Sequence, residues 1–159
     1  MILIKRKTKQ SEGECEMIKK YTYGTPFPTE SVTEQFAASE GMPEFGTIHL
    51  QEGFSFTCKL RDEDAVYGLG EANRGINKRG YQYISNNSDN PHHHEDVYSL
   101  YAAHNFIIVS GEQTFGLYFD YPSTLTFDVG YTRSDELHIF CDRADLDLYV
   151  ITGGNPYDI

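Results

Sequence analysis

Phe106-Ile107-Ile108-Val109-Ser110, Gly111-Glu112-Gln113, Thr114-Phe115-Gly116-Leu117-Tyr118-Phe119-Asp120: two runs of strand length, rich in β-branched and aromatic residues, flank a short polar turn that contains glycine. That is the composition of a β-hairpin. Further along the chain, strand patterns recur at 125–129, 136–141 and 146–152. Toward the N-terminus they recur at 18–23, 47–50, 54–60, 65–69 and 81–85, and 104–110 and 114–120 bound the hairpin itself. Glu52-Gly53 joins the pair 47–50 and 54–60, and the acidic turn Asp62-Glu63-Asp64 precedes 65–69. In Phe54-Ser55-Phe56-Thr57-Cys58 the alternation has the period of 2 that buries one face of a strand. No apolar pattern before Pro156 keeps a helical period for three turns. The expected fold is all-β, two packed sheets forming a β-sandwich.

At 159 residues, the chain fits one domain able to bury a core without disulfides or metal. Its 12 Tyr and 10 Phe, with no Trp, suit pleated sheets carrying many aromatic rings. The net charge of −11 opposes binding driven by phosphate neutralisation, so neither nucleic acid nor an anionic membrane is an expected partner. The cysteines, Cys15, Cys58 and Cys141, are odd in number and widely spaced, which indicates neither a disulfide framework nor a zinc knuckle and fits a reducing compartment. Met1-Ile2-Leu3-Ile4 precedes the basic Lys5-Arg6-Lys7, the reverse of a secretory signal, and no run approaches the roughly 20 apolar residues of a membrane span. A soluble, cytoplasmic protein is expected. Residues 1–16 lack apolar periodicity and read as a disordered arm or extension, with the domain occupying 17–159.

Motifs that promise chemistry mostly fail on context. Gly68-Leu69-Gly70 lacks the third glycine and the following helix of a dinucleotide fingerprint, and Ile76-Asn77 stands where a phosphate loop needs Lys-Ser or Lys-Thr. The two glycines are expected to permit a bulge or close sheet packing. Three imidazoles in His92-His93-His94 could hold zinc, but consecutive residues on an extended chain point alternately, so the tract is read as loop composition; no metal and no cofactor are expected. Asp62, Glu63 and Asp64 read as a solvated turn. Asp145, Asp147 and Tyr149 are expected on the solvent face of a strand, with no buried acid pair. Residues 70–100 differ from the rest, being rich in Asn, Gly, Ser, Asp, Pro and His with one clear strand. A connection this long in a compact domain is usually functional or disordered. Asp89 sits there in Asn86-Asn87-Ser88-Asp89-Asn90-Pro91, amid Tyr81, Tyr83, Tyr98 and Tyr101. Such a carboxylate suits sugar hydroxyls, and the plainer alternative is that it caps the turn before Pro91.

Finally, Gly153-Gly154-Asn155-Pro156-Tyr157-Asp158-Ile159 places an N-cap Asn before a Pro suited to the first helical position, with an acid in the first turn. The expectation is a domain cut from a longer protein where a helix begins, with the reactive groups beyond it.

Taken in order and spacing, Tyr67-Gly68-Leu69-Gly70-Glu71, Asn87-Ser88-Asp89-Asn90-Pro91, Leu100-Tyr101 to Phe106, Phe115 to Asp120, Phe127-Asp128-Val129-Gly130 and Leu146 to Gly153 resemble the N-terminal region of glycoside hydrolase family 31, the α-glucosidase and α-xylosidase family. The likeness runs from about Met17 to the end, and is greatest to the bacterial cytoplasmic α-glucosidases. It implies a sandwich of galactose-mutarotase-like type, followed by a (β/α)8 barrel that carries both catalytic aspartates of a retaining mechanism. No catalytic residue is then expected in this chain. It also implies that a sandwich loop reaches over the barrel mouth to help bind an α-glucoside or oligosaccharide substrate; Asp89 is the matching position, and His92, His93 and His94 match nothing in the family pattern. An exposed patch where the barrel docks would let the fragment self-associate. Two alternatives are a free-standing sugar-binding module and an aldose epimerase, for which His104 and Glu71 are the candidate acid and base.

Overall fold

The computed structural model describes residues 17–97 and 100–159; the expected arm, residues 1–16 including Cys15, and Tyr98 lie outside the described residues. Ten strands follow in chain order: β1 (Ile18–Tyr23), β2 (Thr47–His49), β3 (Phe54–Lys59), β4 (Ala65–Gly70), β5 (Tyr81–Ser85), β6 (Ala103–Ser110), β7 (Thr114–Asp120), β8 (Leu125–Val129), β9 (Glu136–Cys141) and β10 (Leu146–Gly153). They form two five-stranded sheets, β1-β10-β7-β6-β4 and β2-β3-β9-β8-β5, in which every strand pairing is antiparallel. The deciding hairpin is β6–β7, with Val109 opposite Phe115 and Phe106 opposite Tyr118. Among the described residues, no helix is long and apolar enough to cross a membrane.

Alternation builds the core. Phe54, Phe56 and Cys58 of β3, Phe127 and Val129 of β8, and Leu137 and Ile139 of β9 point inward from one sheet. Ile107, Val109, Phe115, Leu117, Phe119, Leu148 and Val150 meet them from the other. Phe119 is fully buried at the centre, with its ring 6.0 Å from Phe54, 6.2 Å from Phe56 and 6.0 Å from Phe127, all near edge-to-face. That geometry sets the positive edge of one ring against the negative face of another.

The outer face of the first sheet is not the solvent face expected for β10. Tyr118, Tyr149 and Ile151 are buried in a second apolar cluster, covered by Val32, Phe36 and Ile159. The irregular segment 24–46 straps over β1, β10 and β7. Phe36 packs edge-on against Tyr149, the Ser39 amide donates to the Lys20 carbonyl at 2.6 Å, and the Thr29 hydroxyl donates to Asp120 at 2.5 Å; at the end of the segment Phe45 turns to the inter-sheet core and stacks on Phe115 at 4.2 Å. Asp147 and Asp120 are paired across β10 and β7, but both are engaged: Asp147 accepts from Thr22 at 2.7 Å and pairs with Lys20 at 2.8 Å. Burial raises the Asp120 pKa above the usual carboxylate value, with Asp147 adding to the effect.

Gly68-Leu69-Gly70 is a bulge. The β4–β6 register shifts between Gly68 and Gly70, and all three residues have positive φ, at 118°, 67° and 74°. A side chain on Gly68 would place its Cβ 2.3 Å from the Phe106 carbonyl oxygen, so the bulge requires glycine there. The acidic turn differs from expectation at one position: Asp62 and Glu63 are exposed, whereas Asp64 is buried and accepts the Arg61 amide at 2.8 Å. At the C-terminal end, Asn155 accepts the Tyr157 amide at 2.9 Å while Asp158 accepts the amides of Gly154 and Asn155 at 3.0 and 3.1 Å, a reciprocal cap of the kind that opens helices.

Candidate functional site: the loop end of the sandwich

Two connections meet at one end of the sheets: residues 71–80, which leave the β4 bulge, and residues 86–102, which join β5 to β6. The longer one is tied at both ends. At its start, the Ser88 amide donates to the Leu100 carbonyl at 2.8 Å, and the Asn87 side chain accepts the Ala103 amide at 2.7 Å. Beside them Glu71 accepts the Tyr101 amide at 3.1 Å, and its own amide donates to Ala102 at 2.7 Å.

At the far side, Arg74 acts as the tie. Its Nε donates to the Glu95 carbonyl at 2.8 Å and its Nη1 to the Gln82 carbonyl at 2.9 Å, while the guanidinium lies 4.2 Å over the Tyr81 ring and 5.3 Å over that of Tyr83. Asn73 adds a bond to the His94 carbonyl at 3.3 Å. A planar fork that stacks and donates at once is a task for Arg rather than Lys. Arg79 ties different elements, donating to the carbonyls of Arg61, Asp62, Asp64 and Ser134 and so bracing the turns after β3 and β8. Lys78 is buried beneath the connection, its ammonium 3.1 Å from the Gly75 carbonyl, and burial lowers its pKa.

Between these ties stands Asp89. It is exposed, and its carboxylate has no hydrogen-bond or ion-pair partner among the described residues. The turn before Pro91 is capped instead by Asn90, whose side chain accepts the His92 amide at 2.9 Å. The neighbouring residue thus performs the capping role open to Asp89. His92, His93 and His94 are all exposed and do not converge; among the described residues, no group of three or more His, Cys, Asp or Glu side chains is arranged to hold a metal ion. His93 instead meets Tyr101 edge-to-face at 5.6 Å.

Other candidate groups are committed or inert. Glu71 is occupied by the Tyr101 amide and makes no bond to His104. The Cys58 thiol is pushed up to about 12 by burial, then by Asp64 and Glu136, and burial pushes Cys141 up to about 11, so neither is a thiolate nucleophile near neutrality. The crevice under the loops, lined by Leu69, Glu71, Tyr83, Ser85 and Leu100 among others, measures about 10 Å³, enough for a single water and no sugar. A broader groove of about 260 Å³ crosses the outer face of β5, β8 and β9, but its buried Asp128 already serves the amides of Tyr131 and Thr132 and the Thr132 hydroxyl. Reactive acids in a convergent pair are therefore absent from this end of the described structure, which offers a braced loop whose carboxylates, Asp89 and further along Glu95 and Asp96, are exposed.

Residues 6–128, well over half of the chain, match the model of the glycosyl hydrolase 31 N-terminal galactose mutarotase-like domain, and the chain belongs to that family. Strands β9 and β10 lie beyond the matched span, yet they sit between β3 and β8 and between β1 and β7, so they complete both sheets. An α-glucosidase of Saccharolobus solfataricus is 24% identical over 151 residues, covering 92% of this chain; the chain spans 22% of that enzyme's length. Among solved structures, a family 31 dextranase of Flavobacterium johnsoniae in complex with glucose is 25% identical, with a TM-score of 0.61 over 67% of this chain and 13% of its own. A variant of that dextranase with bound isomaltotriose superposes at 0.64, again at 25% identity, over 70% of this chain and 14% of its own. The cycloalternan-degrading enzyme of Trueperella pyogenes, 20% identical, shares the fold at 0.59 over 67% of this chain and 15% of its own.

Proposed function

We propose that this chain is the N-terminal sandwich of a longer retaining, exo-acting α-glucosidase, and that its 86–97 loop forms one wall of the sugar pocket. In this reading the nucleophile and the acid/base reside in a following barrel, whose active face lies at the C-terminal ends of its strands. The sandwich narrows that mouth to the end of a glucan chain. Asp89 accepts hydroxyl hydrogen bonds from the sugar on the leaving-group side, as a carboxylate without protein partners is able to do. Glucose and α-linked isomaltooligosaccharides, the ligands of the dextranase structures, are the fitting substrate class.

The observation that carries this reading is the contrast at the loop: Asn87 is bonded to Ala103 of β6, Ser88 to Leu100 and Asn90 to His92, whereas the Asp89 carboxylate is exposed and unpartnered among the described residues. The experiment is a comparison of Asp89→Ala and Asp89→Asn in the full-length enzyme. Losing one charge-assisted bond at about 1.5–3 kcal/mol lowers kcat/KM on isomaltose roughly 10- to 100-fold, with Asn intermediate. Unchanged kcat/KM in Asp89→Ala would remove the loop from the pocket.

A further inference from the structure

His93 belongs to a tract that the family resemblance leaves without a role, yet its ring is not loose. It meets Tyr101 with centroids 5.6 Å apart and planes at 66°, so the two rings form a corner. Both residues are exposed, Tyr101 at 45%. An exposed aromatic corner offers apolar contact area to a ligand, and tyrosine is the side chain that supplies such area with little loss of rotamer freedom.

The backbone that carries the two rings is held from several directions. Asn73 and Arg74 hold the carbonyls of His94 and Glu95, immediately after His93. Glu71 holds the Tyr101 amide, and Ser88, the residue before Asp89, is bonded to Leu100, the residue before Tyr101. Asp89 and the ring pair are thus hooked to the same short stretch of chain. A carboxylate that accepts hydroxyls, on a backbone tied to that of an aromatic corner, is suited to a hexose, whose equatorial edge is polar and whose C–H faces are apolar. C–H groups are weakly attracted to a ring's negative face. Net charge of −11 argues against an anionic ligand at the same place.

We propose that His93 and Tyr101 form a platform on which a hexose ring of an α-linked oligosaccharide rests while Asp89 holds its hydroxyls. The inference builds on the reading of this loop as a pocket wall. It makes the pair specificity-determining: loss of the rings weakens substrate capture and leaves the bond-breaking step in place.

The test uses the full-length enzyme with isomaltotriose, measuring KM and kcat separately for Tyr101→Ala, His93→Ala, Tyr101→Phe and Asp89→Ala, with His92→Ala as a neighbour outside the pair. Circular dichroism melts establish that each variant is folded. Tyr101→Ala raises KM about tenfold with kcat within about threefold, His93→Ala raises KM about threefold, and Tyr101→Phe, which keeps the ring, recovers most of the loss. An unchanged KM in both Tyr101→Ala and His93→Ala overturns the platform, as does a fall in kcat alone that Tyr101→Phe does not rescue. If Asp89→Ala still lowers kcat/KM in that event, only the platform falls; if it too is silent, the reading of the loop falls with it.

Discussion

Arg74→Ala cuts the tie that holds the far side of the candidate loop, and its effect is expected to be local. The variant deletes two hydrogen bonds to carbonyls, at 2.8 and 2.9 Å, and a stacked contact at 4.2 Å over Tyr81. The side chain is half-buried, so each bond counts near the net value of about 0.5–1.5 kcal/mol, and the stacking adds about 0.5–1 kcal/mol. The Gln82 bond and the stacking seat Arg74 on β5, and the Glu95 bond alone joins it to residues 93–97, so Arg74 supplies about 1 kcal/mol against opening of that segment. Glu95 is exposed, so its freed carbonyl is rehydrated and the loss does not propagate into the sandwich. Native-state hydrogen exchange reads this directly, because the Val97 amide donates to the His94 carbonyl at 3.1 Å inside the released turn. A change of about 1 kcal/mol speeds its exchange roughly fivefold. Amides of Ser88 and Ala103, held at the other end of the loop, and those of β7 and β10 keep their parental rates. Arg74→Lys, which lacks the planar fork, behaves like Ala. Parental exchange at Val97, or equal acceleration across β7 and β10, would refute the local tie.

Phe119→Ala empties the meeting point of three aromatic contacts and is expected to cost about 3–5 kcal/mol in urea unfolding; a cost below about 1 kcal/mol would contradict the inter-sheet core. Gly68→Ala combines a positive φ with a Cβ 2.3 Å from a carbonyl oxygen and is expected to cost about 2–4 kcal/mol. Gly41→Ala, also at positive φ but with open space around it, costs only about 1 kcal/mol, and equal losses would remove the steric part of the account. Lys78 has a folded-state pKa below its unfolded value, so the native state disfavours its charge and stability gains from it as pH rises toward about 10.4. Lys78→Met is therefore expected to raise the melting temperature at pH 7 and to reduce the gain between pH 8 and about 10 relative to the parent chain; parallel pH profiles would contradict this.

Strands and turns were legible because their signals are local. The expected bounds 54–60, 65–69, 104–110 and 146–152 differ by one residue from β3, β4, β6 and β10, and those of β5, β7, β8 and β9 coincide with the structure. Gly68 and Gly70 were readable as a bulge since only a backbone constraint explains glycine inside so apolar a strand. The strap of residues 24–46 was not, because Phe36 and Phe45 find Tyr149 and Phe115 more than 60 positions away without any periodic pattern. Tyr149 consequently read as solvent-facing. At the candidate site, Asp89 was visible as a carboxylate in a polar loop, but two features depend on contacts across the fold, the ties made by Arg74 and Asn73 and the pairing of His93 with Tyr101, as does the burial of Asp64 in the turn before β4. Spacing between adjacent histidines said only that they do not converge, and gave no hint that one of them meets a ring eight residues later.

The most direct measurement is a crystal structure of the full-length enzyme with isomaltotriose bound. A sugar hydroxyl is expected within hydrogen-bond distance, about 2.5–3.0 Å, of the Asp89 carboxylate, with the attacked anomeric carbon facing carboxylates from the proposed barrel. A bound sugar that leaves Asp89 in solvent, or one whose anomeric carbon faces a carboxylate of this sandwich, would contradict it.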